Sequence, residues 1–363
     1  MEIKFIRKFA MIMMLAAIVC MMLNFIVYRN LLPLHFLWGS ERLYHKEQFL
    51  KKNDYNTIFI GASQVMQQIN PQIFDSIVSP ALQTKTFNMG ENWFSASELY
   101  HALNLITAND SLKLKYIFIE LTKIKRPDLF NLNKPRVYYW YTYNDYKFTV
   151  NATLDSRYSI IYKAATIAAH TLGYFDNLIA LGYGTEALTF NNVTRNNNNG
   201  MALGPYGNGY LIPHYNSTEP ADVQLKRIAE KPNPFLKDSS AITSKRKISE
   251  QEFLKFEKTN SLPEKYNKYY VNFLTEMIET YQRKGIKIIY FVPIRLDRNH
   301  YEEILPVFKS LPETNKMEVS NANLYPDLYM ASTSYDVTHM NVEGAKIYSG
   351  YLAKKFLSSP QLH

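Results

Sequence analysis

The sequence predicts an α/β fold, a three-layer α/β/α arrangement around a parallel sheet, interrupted by a large insertion and preceded by one N-terminal transmembrane helix. Three observations predict it. Short, largely apolar runs rich in β-branched residues occupy 56–61, 116–121 and 286–292, with a weaker one at 84–88, and strands covered on both faces need such runs. Segments with helical spacing of apolar residues separate them, as the crossovers between parallel strands require. Residues 9–28 contain no charge, and about 20 apolar residues cross a hydrocarbon core.

The elements follow in order. Residues 1–8 hold Lys4, Arg7 and Lys8, a basic flank that predicts a cytoplasmic tail, with the body of the chain on the other side of the membrane. A cleaved signal peptide is the rival reading of 9–28, but no small-x-small site closes the apolar run. Cys20 after Val19 offers a weak lipidation motif, since Val19 is bulky where that motif wants a small residue. Cys20 is the only cysteine, so the exported body has no disulfide and no structural zinc site of the cysteine-bearing kinds. Residues 29–54 read as a linker that becomes helical, with Leu43, Phe49 and Leu50 able to pack.

The α/β domain is expected over 55–125 and 261–360. Its first part has strands at 56–61, 84–88 and 116–121, a short helix at 71–77, and a helix at 95–107 in which Leu99, Ala102, Leu103 and Ile106 share a face and Ser95 or Ser97 caps the start. Its second part has a helix at 262–284 ended by Gly285, a strand at 286–292 stopped by Pro293, and a closing helix at 344–357. Between the two parts, 126–260 is loop-rich: a tyrosine cluster at 138–146, one helix near 159–172, then asparagine- and glycine-rich stretches. This span is either a cap over the site or a decoration away from it. The cluster of Tyr138, Tyr139, Trp140, Tyr141 and Tyr143 either forms a platform for sugar rings or packs the insertion's own core.

Chemistry is concentrated at two places. The first strand runs into Gly61-Ala62-Ser63, which presents a hydroxyl at a strand's C-terminal end; Asp336-x-x-His339 offers a carboxylate and an imidazole before a helix start at Asn341–Gly344. A serine is a weak nucleophile until a histidine takes its proton, and the histidine needs a carboxylate to fix its tautomer. Ser63 has a plain alternative as a helix N-cap, and Asp336 as a turn cap. Parallel sheets place ligands at the carboxyl ends of their strands. Ser63, Gly90, Thr122 and Pro293 all fall at such ends. Glu120 either lines the same pocket or forms a buried salt bridge to a lysine, and Arg295 after Pro293 could meet an anionic substrate. His101 reads as a bystander on a helix face.

These blocks resemble the SGNH (GDSL-like) hydrolase family. Gly61-Ala62-Ser63-Gln64 is similar to its first block, Phe87-Asn88-Met89-Gly90 to its second and Asp336-x-x-His339 to its last, in the family's order, over roughly 55–125 and 283–358. The resemblance implies a flavodoxin-like sheet, a catalytic triad of Ser63, His339 and Asp336, and an oxyanion hole built from the backbone N–H groups of Ser63 and Gly90. The family's third oxyanion donor is an asparagine after the third strand. Here that place reads Leu121-Thr122-Lys123, which leaves Thr122, Asn88 and Asn92 as substitutes. That departure is similar to the membrane-anchored branch that acylates cell-envelope polymers, as in alginate acetylation and teichoic-acid D-alanylation.

The implied activity is that of an extracytoplasmic esterase or O-acyltransferase acting on acyl, chiefly acetyl, esters of envelope or exported polysaccharide. It needs no cofactor and no metal, and a multi-pass membrane acyltransferase is the implied partner. The formal charge of +9 suits an acidic glycan or lipid head groups better than nucleic acid for an exported chain. Neither a Gly-x-x-x-x-Gly-Lys nor a Gly-x-Gly-x-x-Gly pattern is present to suggest a nucleotide. Two readings from other classes stand beside it: a non-catalytic SGNH-fold scaffold that holds glycan or an acyltransferase, and a membrane-tethered binding protein whose triad pattern is accidental.

Overall fold

Strand β1 (Thr57–Ile60) is buried at every position, and the physical reason is visible in where its alternate side chains go. Ile58 and Ile60 join Ile117, Ile119, Ile288 and Tyr290 in one apolar cluster, while Phe59 joins Phe118, Ile289 and Phe291 in another. A sheet with a core on each face needs apolar residues at both phases of the alternation. The computed structural model of the chain describes residues 2–23, 41–92, 94–108, 112–124, 141–179, 202–213, 266–294, 298–336 and 338–363, with a few single positions between 222 and 254.

Within these residues the elements run α1 (Glu2–Leu23), α2 (Glu41–Lys51), β1, α3 (Ser63–Gln68), α4 (Pro71–Leu82), β2 (Thr86–Asn88), α5 (Ala96–Thr107), β3 (Tyr116–Glu120), α6 (Tyr143–Asp155), α7 (Ile160–Ile179), α8 (Lys268–Arg283), β4 (Lys287–Phe291), α9 (Arg298–Ser310), β5 (Lys316–Met317) and α10 (Val342–Leu357). The five strands are all parallel, in the order β2-β1-β3-β4-β5. This is the doubly wound order of flavodoxin-like sheets, in which the chain reverses direction across the sheet between β1 and β3. One face is covered by α2, α5, α8 and α9 and the other by α4 and α10. The second core is aromatic: Phe59 stacks on Phe118 with centroids 4.3 Å apart, and Phe74 and Phe356 meet Phe118 edge-on at 5.4 and 5.0 Å.

The predicted α/β class and the N-terminal apolar helix are present, with shifted bounds. Helix α1 begins earlier than residue 9 and takes in the basic flank, while 24–28 lie outside the described residues. Lys4–Leu23 is long and apolar enough to cross a membrane, with a mean hydropathy of 2.1. Helix α4 extends to Leu82 instead of 77, and α7 to Ile179 instead of 172. Helix α8 starts at Lys268 because the Asn267 side chain caps it, accepting from Tyr270 N–H.

Helices α3, α6 and α9 and strand β5 were not read from the sequence. Helix α3 is only 6 residues and β5 only 2, too short to show a period, while in α9 the interior Pro306 speaks against a helix although Tyr301, Ile304, Leu305 and Phe308 fall at helical spacing. Helix α6 lies in the tyrosine-rich segment, and its signal was the capping box of Thr142 and Asp145. Because Phe118 is fully buried at the centre of the aromatic cluster, Phe118→Ala should lower the unfolding free energy by roughly 3–5 kcal/mol, read by chemical denaturation in detergent.

Candidate active site

The site is built where β1 ends. Gly61 turns the chain into α3 in a space no side chain would fit: a Cβ there would sit 2.3 Å from Val65 Cγ2 and 2.4 Å from Glu120 Oε2. Glu120, the last residue of β3, is fully buried, and its Oε2 accepts the Ala62 N–H at 2.7 Å. The turn delivers Ser63 half-exposed as the first residue of α3, with Ala62, not Ser63, in the N-cap position.

His339 arrives from the other end of the chain. A short antiparallel bridge between Ser334 and Met340, with Tyr335 N–H donating to His339 O at 3.0 Å, folds 334–340 into a tight loop ahead of α10. Asn341 caps that helix by accepting from Gly344 N–H at 2.9 Å. The loop is tied to α3 through Thr338 O, which accepts from Gln68 Nε2 at 2.9 Å and more weakly from Gln64 Nε2 at 3.4 Å. His339 Nε2 then lies 2.8 Å from Ser63 Oγ. Its Nδ1 lies 2.9 and 3.1 Å from the two Asp336 oxygens. With a carboxylate facing Nδ1 the proton belongs on that nitrogen, and Nε2 is left to accept from the serine hydroxyl.

Asp336 is held by more than His339. Its Oδ1 accepts from Thr338 N–H at 2.6 Å, Thr338 Oγ1 at 2.9 Å and His339 N–H at 2.8 Å. Burial works to raise this carboxyl, but the hydrogen bond and charge of His339, with both Thr338 donors, outweigh it and bring it down to about 2.

The expected oxyanion donors fare differently. Gly90 N–H is committed to Asn88 Oδ1 at 2.8 Å, so the donor expected from Gly90 is already engaged. A Cβ at Gly90 would sit 2.3 Å from Met66 N, so this glycine serves close packing against α3. Asn88 spends its amide hydrogens on Val65 O and Ile69 O, both at 2.7 Å. Thr122 is buried with its hydroxyl sealed from solvent. Asn92 sits half-buried two residues past Gly90, and its side chain makes no hydrogen bond to a described residue. The Glu91 N–H donates to Gly61 O at 3.0 Å, which seats this loop beside the serine turn.

Other expected positions are resolved as follows. Tyr141 is 1% exposed, its hydroxyl hydrogen-bonded to His170 Nδ1, so it packs within the insertion and offers no sugar-binding surface. Tyr138, Tyr139, Trp140 and Arg295 lie outside the described residues. His101 is packed away from the triad: its Nδ1 lies 3.1 Å from Asp145, joining α5 to α6. Among the described residues no three His, Cys, Asp or Glu side chains are grouped to hold a metal.

Sequence reasoning missed Lys46, a fully buried residue of α2 whose Nζ donates to Gly90 O at 2.8 Å and Gly209 O at 2.9 Å. Burial pulls its ammonium down to about 7, against the raising effect of Glu91 and with a further lowering from Arg42. Arg42 itself pairs with Glu91 at 3.0 Å. A signal existed: Leu43, Lys46, Glu47 and Leu50 fall at the spacing of one helix face, which puts two charged residues on the packing side.

No protein-family model matches the chain, and none of the curated proteins compared with it is detectably similar in sequence. The lowered Asp336 carboxyl generates a pH prediction. Ionised Asp336 stabilises the fold above the ordinary value of 3.8, and that contribution is lost as pH falls from there through about 2. The melting temperature of the unaltered protein should therefore fall more across this window than that of Asp336→Asn. Equal slopes in the two melting series would contradict the assigned interaction.

Proposed function

We propose that the chain is a serine esterase or O-acyltransferase of the SGNH type, working outside the cytoplasmic membrane on acyl, chiefly acetyl, esters of a cell-envelope or exported polysaccharide. One observation carries the reading: Ser63 Oγ, His339 and Asp336 lie in hydrogen-bonded series, at 2.8 and 2.9 Å, at the carboxyl end of β1 beside β3. That is the topological switch point, where open α/β sheets bind their ligands. The polysaccharide, the acetyl group and a multi-pass acyltransferase as donor rest on the resemblance of the sequence blocks.

In the proposed reaction His339 Nε2 takes the Ser63 proton as Oγ attacks the ester carbonyl. The new Oγ–C bond forms, the C–O bond of the donor ester breaks, and the proton passes from His339 to the departing alkoxide. Water or a sugar hydroxyl then gives its proton to His339 and attacks the acyl carbon. Ser63 Oγ leaves and recovers that proton. Asp336 keeps the ring oriented and stabilises the transient imidazolium. The oxyanion is assigned to the N–H of Ser63, a first-turn amide of α3, with the Asn92 side chain as the second donor. A bound acceptor would compete with water through its high effective molarity. Lys4, Arg7 and Lys8 at the N-terminal end of α1 support a cytoplasmic N-terminus.

A second reading has its own support: the engaged Gly90 N–H and the sealed Thr122 hydroxyl suit a non-catalytic scaffold that holds glycan or a membrane acyltransferase. Full-length protein in detergent, treated with a serine-reactive fluorophosphonate and assayed on activated acetyl esters, separates the two. The expected result is labelling at Ser63 and hydrolysis that Ser63→Ala reduces by at least about three orders of magnitude. Unlabelled protein, or a Ser63→Ala variant that keeps its esterase activity, would remove the catalytic reading.

A further inference from the structure

Helix α7 inverts the pattern expected of a helix on a water-facing domain. Its exposed described residues are Ile160, Ile161, Ala164, Ala168, Leu172 and Phe175, all apolar. Five of these, from Ile161 on, recur at spacings of three or four and so form one stripe along the helix. They are well exposed: Ile161 at 80%, Leu172 at 64% and Phe175 at 50%. Two of its polar side chains, Thr166 and His170, are turned inward. His170 is bonded to Tyr141, and Lys163 Nζ reaches back to Leu154 O at 2.6 Å.

One neighbour of this helix, besides α6, is α1. The two backbones approach within 8 Å, and the half-buried residues of α1 are Ala17, Cys20 and Met21, one face of its C-terminal half. Leu172 and Phe175 stay exposed with α1 in place, so α1 lies beside the stripe and does not cover it. Aromatic rings border the region: Tyr143 is exposed on α6, and Tyr174 stacks on Tyr146 with centroids 4.9 Å apart. Tyrosine rings of this kind favour the boundary between hydrocarbon and water.

We propose that α7 is a membrane-surface helix, whose apolar stripe seats the extramembrane domain on the phospholipid bilayer beside the point where α1 enters it. The bilayer is the occupant because the stripe continues the surface of α1, the one helix among the described residues long and apolar enough to cross a membrane. A helix with an outward apolar stripe at that place buries it favourably in lipid. This inference stands apart from the chemistry at Ser63.

The test uses the full chain with Cys20→Ser, and single cysteines placed at Ile161, Leu172 or Phe175, with Lys355 on α10 as the control. Each variant carries an environment-sensitive fluorophore and is reconstituted in phosphatidylethanolamine–phosphatidylglycerol vesicles containing head-group nitroxide lipids. The expected result is loss of fluorescence at the three stripe positions, with a blue-shifted emission, and none at Lys355. Stripe positions as unquenched as Lys355 would overturn the proposal. So would a blue shift that vanishes when the protein is diluted in lipid, because a second copy would then be the occupant.

Discussion

Ser63 can stand opposite His339 only because the chain between Ile60 and Ser63 turns in the space of one glycine over the Glu120 carboxyl. The register of the sheet creates that situation. Ile60 pairs with Ile119, so Glu120 lies one residue past the last pair and beside Gly61. Its carboxyl oxygen takes the Ala62 N–H, a backbone donor that would otherwise be buried without a partner at a cost of roughly 1–3 kcal/mol. On the other side, Met89 N–H reaches Phe59 O at 2.7 Å and Glu91 N–H reaches Gly61 O at 3.0 Å. The turn is therefore gripped from both neighbouring strands, and its serine has little freedom to leave the histidine.

A further layer of polar contacts surrounds the glycine after β2. Asn88 supplies three hydrogen bonds: it holds Val65 O and Ile69 O of α3 and its following turn, and it accepts the Gly90 N–H. The carbonyl of the same glycine is taken by Lys46. With N–H, carbonyl and Cα all occupied, Gly90 is a packing junction between β2, α2 and α3. On the proposed reading this shifts the burden of charge stabilisation toward the first-turn amide of α3 and Asn92. A buried lysine amine beside two carbonyls costs less than the same charge alone, and the nearby Glu91–Arg42 pair keeps the region close to neutral.

Much of the framework was legible from the sequence because its signals are local. The strands announced themselves by apolar content, helix α5 by its spacing and its Ser95 cap, and the end of α8 by Gly285, which takes φ +73. The pairing of Ser63 with Asp336 and His339 was legible only through the resemblance of separate blocks, since these residues lie 276 positions apart at the extremes. What stayed hidden is what depends on three-dimensional partners. Nothing in the residues near Lys46 says that its amine will meet the carbonyls of Gly90 and Gly209. The inward turn of Tyr141 depends on His170 of α7, while Tyr143 two residues on stays exposed, a difference that no reading of the local sequence separates.

The same elements join the apolar N-terminal helix to the site. Helix α2 is the first described element after α1, and its Arg42 and Lys46 hold Glu91 and Gly90 next to the serine turn. Helix α6 connects the site-bearing domain to α7: His101 of α5 meets Asp145, and Tyr146 stacks on Tyr174. If α7 rests on lipid as proposed, the route through α6 and α5 sets the height of Ser63 above the bilayer. An acyl donor presented by a membrane enzyme would then meet the nucleophile at a set distance, and the gain over free diffusion is one of effective concentration. A domain swinging on a linker alone would not secure that gain, which gives the outward apolar face of α7 a physical purpose in the proposed chemistry.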